Sequence, residues 1–139
     1  MQNFIRRYFD GEVSVKSVPK KMIDHQEKSM LFFYNGYAEY YGMELEELLG
    51  YEGFSSIDEF TKFNRDENES TAKYYLVVQA IAEDAGFSVN DNELVDFFYK
   101  FDNTRDFSEF VEQYGIPYLK QFVLCEKVMD YIIDNAILK

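Results

Sequence analysis

Two side chains that could do nucleophilic or metal chemistry occur only once each in this chain. His25 is the single histidine and Cys125 the single cysteine. One histidine cannot build a His-based metal cluster, and its polar surroundings predict an ordinary surface imidazole. Cys125 lies inside an apolar helical pattern, which predicts a buried, inert thiol rather than a nucleophile. A lone cysteine also precludes an internal disulfide, as is typical of proteins in a reducing cytoplasm.

Carboxylates are the remaining source of metal-binding or acid–base chemistry. They cluster at Glu44, Glu46 and Glu47, at Asp66, Glu67 and Glu69, and at Asp91 with Glu93. The stretch from Asp84 to Asn92 offers oxygen ligands, but Phe87 and Val89 occupy the middle of what would be a calcium loop. We therefore interpret the carboxylates as helix caps and solvated faces. No nucleotide-binding, zinc-protease or CxxC motif occurs, so we predict no catalytic residue, no cofactor and no metal site.

Charge and composition argue against some classes of partner. The 139 residues carry a formal net charge of −12, and 19% of them are aromatic, all Phe or Tyr. An acidic surface repels nucleic acid and anionic membranes, so we expect neither as a direct partner. No stretch is long and apolar enough to span a bilayer, and the first ten residues lack the apolar run of a secretory signal. We expect a globular, cytoplasmic protein.

The elements that must position any site are helices, because apolar residues recur at helical spacing between capping residues and glycines. The predicted class is all-α. Capping pairs precede two of the helices, Ser56 with Glu59 and Asn90 with Glu93. Three helices are predicted with both ends: 19–41, 44–49, which Gly50 ends, and 91–101. A further helix follows Ser56, and a strong apolar stripe from Tyr74 to Ala85 predicts another. The last two predicted helices begin at Thr104 or Asp106 and at Pro117.

The first 18 residues are interpreted as an N-terminal extension or connector to a helical domain over 19–139. The segment from Phe4 to Phe9 is only weakly amphipathic and ends at Asp10-Gly11. The valines that follow it alternate with polar residues, which is typical of extended backbone, so no helix is expected before Pro19. Pro19 suits the first position of a helix, where its missing N–H would be unpaired anyway.

In their order, these elements resemble the C-terminal domain of bacterial trigger factor, a ribosome-associated chaperone. The resemblance covers Val13 to Leu138 and implies an irregular multi-helix domain with long arm-like helices. Its most telling pieces are Ser17-Val18-Pro19, the run from Leu76 to Ala82 before the capped start at Asn90, and Glu126 to Tyr131 followed by Asn135-Ala136.

The resemblance implies a molecular chaperone domain that binds unfolded or nascent polypeptide and assists protein folding. Members of the family also carry a ribosome-docking domain and a peptidyl-prolyl isomerase domain, and this sequence resembles neither. We therefore expect no enzyme activity from these residues. Contact with the ribosome is expected only through domains that are absent here.

A chaperone of this kind needs exposed apolar or aromatic surfaces, for which tyrosine is well suited because its hydroxyl tolerates water. The competing interpretation is core packing, which we expect for about half of the candidates. The alternative function is a helical dimerisation or partner-specific interaction module without general chaperone activity, which would act either as a homodimer or as a scaffold for one defined partner. The candidate peptide-binding residues are Phe33, Tyr37, Tyr40, Tyr41, Phe97, Phe98 and Phe101.

Overall fold

Eight α-helices form the secondary structure of the residues that the computed structural model describes, 2–102 and 107–136. No strand occurs in these ranges, which confirms the all-α prediction. None of the helices found there has the length and apolarity needed to cross a bilayer. The helices are α1 Gln2–Gly11, α2 Lys20–Tyr40, α3 Leu45–Tyr51, α4 Ile57–Phe63, α5 Arg65–Ala85, α6 Asp91–Asp102, α7 Ser108–Tyr114 and α8 Ile116–Asn135.

The chain divides into two units, each with its own packing. The terminal unit comprises Met1–Phe9 and Tyr75–Lys139, and the central unit comprises Asp10–Tyr74. The division falls inside α5, so the first half of this helix belongs to the central unit and the second half to the terminal unit.

In the central unit, α2 contacts α3 and α3 contacts α4. Each of these three helices contributes one fully buried residue, Ala38, Leu49 and Phe60. The turn after α2 needs Gly42, which has a φ of 69°, a left-handed conformation that glycine adopts without steric cost. The backbone N–H of Met43 then donates to the carbonyl of Ala38 at 3.0 Å, which closes the end of the helix.

Both predicted capping pairs form. The hydroxyl of Ser56 accepts a hydrogen bond from the backbone N–H of Glu59 at 3.1 Å, and the Glu59 carboxylate accepts one from the backbone N–H of Ser55 at 2.8 Å. At α6 the exchange is reciprocal: the Asn90 side chain accepts from the Glu93 N–H at 3.0 Å, and Glu93 accepts from the Asn90 N–H at 2.9 Å. These local bonds satisfy N–H groups that a helix start leaves unpaired.

The terminal unit is built on contacts of α6 and α7 with α8. Its core cluster contains Leu94, Phe98, Leu119 and Val123, each no more than 4% exposed. Polar contacts at the edge fix the register of α8 against the start of α6. Lys127 donates to the Ser88 carbonyl at 2.7 Å and to Glu93, and Lys120 pairs with Asp91 at 2.7 Å.

Several predicted boundaries need correction. Residues 2–11 form the helix α1 rather than a connector, because this segment buries Ile5 and Phe9, while 12–18 is non-helical as expected. Helix α3 continues through Gly50 to Tyr51, and Gly53, with a φ of 93°, makes the turn instead. The predicted start at Thr104 or Asp106 lies outside the described residues. A domain boundary at residue 18 stays a prediction.

Candidate functional site

Three of the predicted tyrosines are exposed and lie together near the end of α2. The exposed fractions are 61% for Tyr37, 82% for Tyr40 and 64% for Tyr41. The rings of Tyr40 and Tyr41 meet edge to face, with their centroids 5.2 Å apart. Phe33, one turn earlier, is only partly exposed. The C-terminal half of α2 therefore presents aromatic rings to solvent.

The candidates on α6 behave differently. Phe98 is 4% exposed and belongs to the core of the terminal unit, so it is removed from the candidate surface. Phe97 is half-buried, with its ring 5.8 Å from that of Phe122. The side chain of Phe101 lies outside the described residues. On α6, the competing interpretation as core is correct for Phe98.

A chain of ring contacts in the central unit extends the surface beyond the predicted residues. Tyr34 meets Tyr37 at 6.4 Å and Phe60 at 4.6 Å, and Phe54 meets Phe60 at 5.0 Å and Phe63 at 5.3 Å. Within this row of contacting rings, Phe60 is buried, whereas Tyr37 and Phe63 at the two ends of the row are 61% and 75% exposed. We call Tyr34, Tyr37, Phe54, Phe60 and Phe63 the aromatic face.

Sequence reasoning missed Phe63 as a surface residue because Ile57, Phe60 and Phe63 recur every third position and so indicate one buried stripe. Only Phe60 of the three is buried. The available signal was the polar run that begins at Asn64, where the apolar stripe stops.

The second candidate surface is an apolar groove of about 520 Å³ in the terminal unit. Its lining comes from α1, from α5 and from the end of α8. Ile5 and Phe9 are buried there, while Phe4 and Tyr8 remain 71% and 52% exposed. The groove residues are Phe4, Ile5, Tyr8, Phe9, Ile81, Ile132, Ile133 and Ala136.

The groove was missed because the first residues were interpreted as a connector. The signal was present in the sequence: Phe4, Ile5, Tyr8 and Phe9 follow the i, i+1, i+4, i+5 pattern that places four side chains on one helical face. A helix of ten residues is marginal on its own. It forms here together with the burial of its apolar face, which local pattern reading does not capture.

Two tyrosines of the terminal unit have raised pKa values. Burial, with smaller contributions from Cys125 and Tyr118, raises the pKa of Tyr75 to about 12. Burial also raises the pKa of Tyr118. A raised phenol pKa makes the oxygen a poorer nucleophile near neutral pH, the opposite of activation. In the described ranges, no three His, Cys, Asp or Glu side chains are grouped as a metal site would require.

Comparison with known proteins identifies the same family along nearly the whole chain. The profile of the bacterial trigger factor protein C-terminus matches residues 1–134. The trigger factor of Acetivibrio thermocellus is 27% identical over 124 residues, which cover 86% of this chain and 29% of the relative. The trigger factor of Carboxydothermus hydrogenoformans is 23% identical over 155 residues, which cover 97% of this chain and 34% of the relative. The trigger factor of Syntrophomonas wolfei is 25% identical over 126 residues, which cover 88% of this chain and 28% of the relative. No solved structure matches. The chain thus spans about a third of the length of these relatives.

Proposed function

The chain belongs to the bacterial trigger factor C-terminus family, and we propose that it is a chaperone domain that binds unfolded or nascent polypeptide in the cytoplasm. It does so through exposed apolar and aromatic surfaces and without catalysis. The observation that carries the proposal is the groove between α1, α5 and α8, in which every lining residue is apolar or aromatic. Its volume falls within the range of about 300–1,000 Å³ that is typical of ligand sites.

Such a groove suits weak and unselective binding. Each Leu- or Phe-sized side chain buried there contributes roughly 1.5–3 kcal/mol. The ordering of a flexible segment offsets much of that gain. Two or three anchored side chains therefore give dissociation constants of about micromolar or weaker. Without polar lining groups that demand a matching partner, the groove accepts many apolar sequences, as a folding assistant requires.

The aromatic residues of α2 supply a second surface. Tyr37, Tyr40 and Tyr41 are exposed, and each ring combines a large apolar area with few rotatable bonds, so contact costs little side-chain entropy. Phe33 is proposed to contribute through its exposed part. Phe97 is proposed in the same role in the terminal unit.

The test is an NMR titration of the isotope-labelled chain with a permanently unfolded, aromatic-rich polypeptide. We expect weak, saturable shifts at amides of the groove and of α2, with similar results for an unrelated unfolded client. The double variant Phe4→Ser/Tyr8→Ser removes two exposed rings of the groove and should weaken the groove shifts severalfold. The matched control is Tyr99→Ser, an exposed ring of the same unit outside the groove.

The competing interaction-module function gives a different result. The proposal would be contradicted if light scattering gave twice the mass of one chain and no amide signal shifted with any unfolded client. Equal loss of groove binding in Phe4→Ser/Tyr8→Ser and in Tyr99→Ser would show that the groove is not the site.

A further inference from the structure

A polar pocket in the central unit plays no part in the proposed function. Its volume is about 320 Å³, and its walls come from the non-helical segment between α1 and α2 and from the first half of α5. Six of its eight lining residues are polar or charged, so the pocket suits a small polar ligand better than an apolar segment of a client. The pocket residues are Ser14, Val15, Lys16, Ser17, Val18, Glu69, Ser70 and Lys73.

The non-helical wall offers hydrogen-bond donors that the chain itself leaves unused. Ser14, Lys16 and Ser17 are exposed, and none of their side chains bonds to another residue in the described ranges. The backbone N–H groups of residues 14–18 likewise donate to no other described residue. A ligand rich in acceptor oxygens can therefore bind to this wall without displacing an internal hydrogen bond.

The α5 wall adds the ammonium group of Lys73, which no carboxylate neutralises. This residue is half-buried, and its ammonium donates to the neutral backbone carbonyl of Asp10 at 2.8 Å. Glu69 stands one helical turn earlier, at a spacing that usually favours an ion pair, yet Lys73 forms none with any carboxylate of the described residues. The positive charge of Lys73 therefore remains available to an anion in the pocket.

Two carboxylates near the pocket reduce its attraction for anions without abolishing it. Glu69 lines the pocket, and the carboxylate of Asp10 accepts a hydrogen bond from the Ser70 hydroxyl at 3.0 Å. Both acidic residues are exposed, so water and salt weaken their repulsion of a ligand. Screening over about 8 Å at physiological ionic strength also limits the effect of the net charge of −12 on the chain. The donors of the walls, which a ligand can contact directly, therefore decide which ligand binds.

We propose that this pocket binds a phosphate group, either as inorganic phosphate or as the phosphate monoester of a small molecule. A phosphate monoester carries a charge of about −1.5 to −2 near neutral pH and three strong acceptor oxygens, which match the two lysines, the hydroxyls and the unbonded N–H groups. A carboxylate has fewer oxygens and a smaller charge, so it uses fewer of these donors. The volume leaves space beyond the phosphate, so we expect the monoester to bind more tightly than inorganic phosphate. The site goes beyond the proposed function, because its ligand is not a polypeptide.

The test is an NMR titration of the isotope-labelled chain with inorganic phosphate, with glucose 6-phosphate and with glucose, all at one ionic strength set by sodium chloride. Shifts are read at the amides of residues 14–18 and 69–73. We expect both phosphates to give saturable shifts there, with glucose 6-phosphate acting at severalfold lower concentration, and glucose to give none. The phosphate that binds more tightly identifies the source of the group. Shifts that do not saturate, or that glucose reproduces, would overturn the inference.

Variants identify the ammonium groups responsible. Lys16→Gln removes a charge that has no partner in the described part of the chain, so the fold should stay intact while phosphate binds about fivefold more weakly. Lys16→Gln/Lys73→Gln should weaken binding by about tenfold or more. This double variant also loses the bond to Asp10, so its fold is checked by circular dichroism. The matched control, Lys21→Gln/Lys28→Gln, removes the same charge from two exposed positions of α2 outside the pocket and should change the affinity by less than about twofold.

Failure of this inference and failure of the proposed function are separate results. If Lys16→Gln binds phosphate as tightly as the parent chain, or if the control pair weakens binding as much as Lys16→Gln/Lys73→Gln, the pocket is not a phosphate site. Binding of unfolded clients at the groove is unaffected by that outcome. If phosphate binds and no unfolded client does, this inference stands and the chaperone function fails.

Discussion

Replacing Phe98 with alanine tests whether a residue that the sequence offered as a peptide contact is instead structural. Phe98 is 4% exposed, and its ring lies 5.1 Å from Phe107, 5.3 Å from Phe110 and 5.7 Å from Phe97. Truncating a buried Phe to Ala costs about 3–5 kcal/mol, because the transfer energy of the ring is lost and a cavity remains. Because residues of α7 and of α8 pack in the same cluster, collapse of the site is restricted, so we expect about 4 kcal/mol.

The assay is equilibrium unfolding in guanidinium chloride, followed by far-ultraviolet circular dichroism and by NMR signals assigned to each unit. Both probes are needed because the chain has two units and a single transition is not guaranteed. For Phe98→Ala, we expect the NMR signals of the terminal unit to show the loss of stability. The control is Tyr40→Ala, in which an 82% exposed ring is removed and stability should change by no more than about 0.5 kcal/mol.

The same two variants make opposite predictions for binding. Tyr40→Ala should weaken client binding at α2 without loss of stability. If Phe98→Ala retained its stability within about 0.5 kcal/mol and lost client binding instead, the assignment of Phe98 to the core would be refuted.

Local signals give further predictions. Ser56→Ala removes the oxygen that accepts the Glu59 N–H and should cost about 1 kcal/mol, measured by denaturant unfolding. Gly86→Ala places a side chain at a φ of 73°, where a Cβ meets no neighbour within 4 Å, so its cost of about 1 kcal/mol in the same assay would come from backbone strain alone. The hydrogen bond from Lys127 lowers the pKa of Glu93 in the folded chain below its ordinary value. The ionised Glu93 carboxylate therefore stabilises the fold above the ordinary pKa, and this stabilisation is lost as the pH falls through the lower pKa of the folded state. The stability difference between the parent chain and Glu93→Gln should therefore shrink on acidification, and a difference independent of pH would contradict the ion pair.

Helix identity could be predicted from the sequence wherever the decisive contacts are local. The caps at Ser56 and Asn90 reach three residues along the chain, and the turns at Gly42, Gly86 and Gly115 depend on one residue's access to positive φ. Such interactions have the same partners in any tertiary context. The prediction of an all-α fold is accordingly confirmed.

The candidate site was only partly predictable. Tyr40 and Phe98 both follow the helical spacing of apolar residues, yet one is 82% exposed and the other 4%. Spacing identifies which side chains share a face of a helix but does not identify what covers that face. At Phe98, α7 and α8 supply the cover, whereas the described structure leaves the ring of Tyr40 in solvent.

The sequence by itself determined the helical class, the caps and the acidic charge, because these depend on residue identity and on neighbours within one turn. Only the tertiary structure decided that residues 2–11 form a helix with a buried face, that α1 joins Ile81 and Ile132 in one groove, and that Phe63 stands at the edge of an aromatic face. The reason is physical: apolar burial depends on area removed from water, and that area is created by segments far apart in the chain.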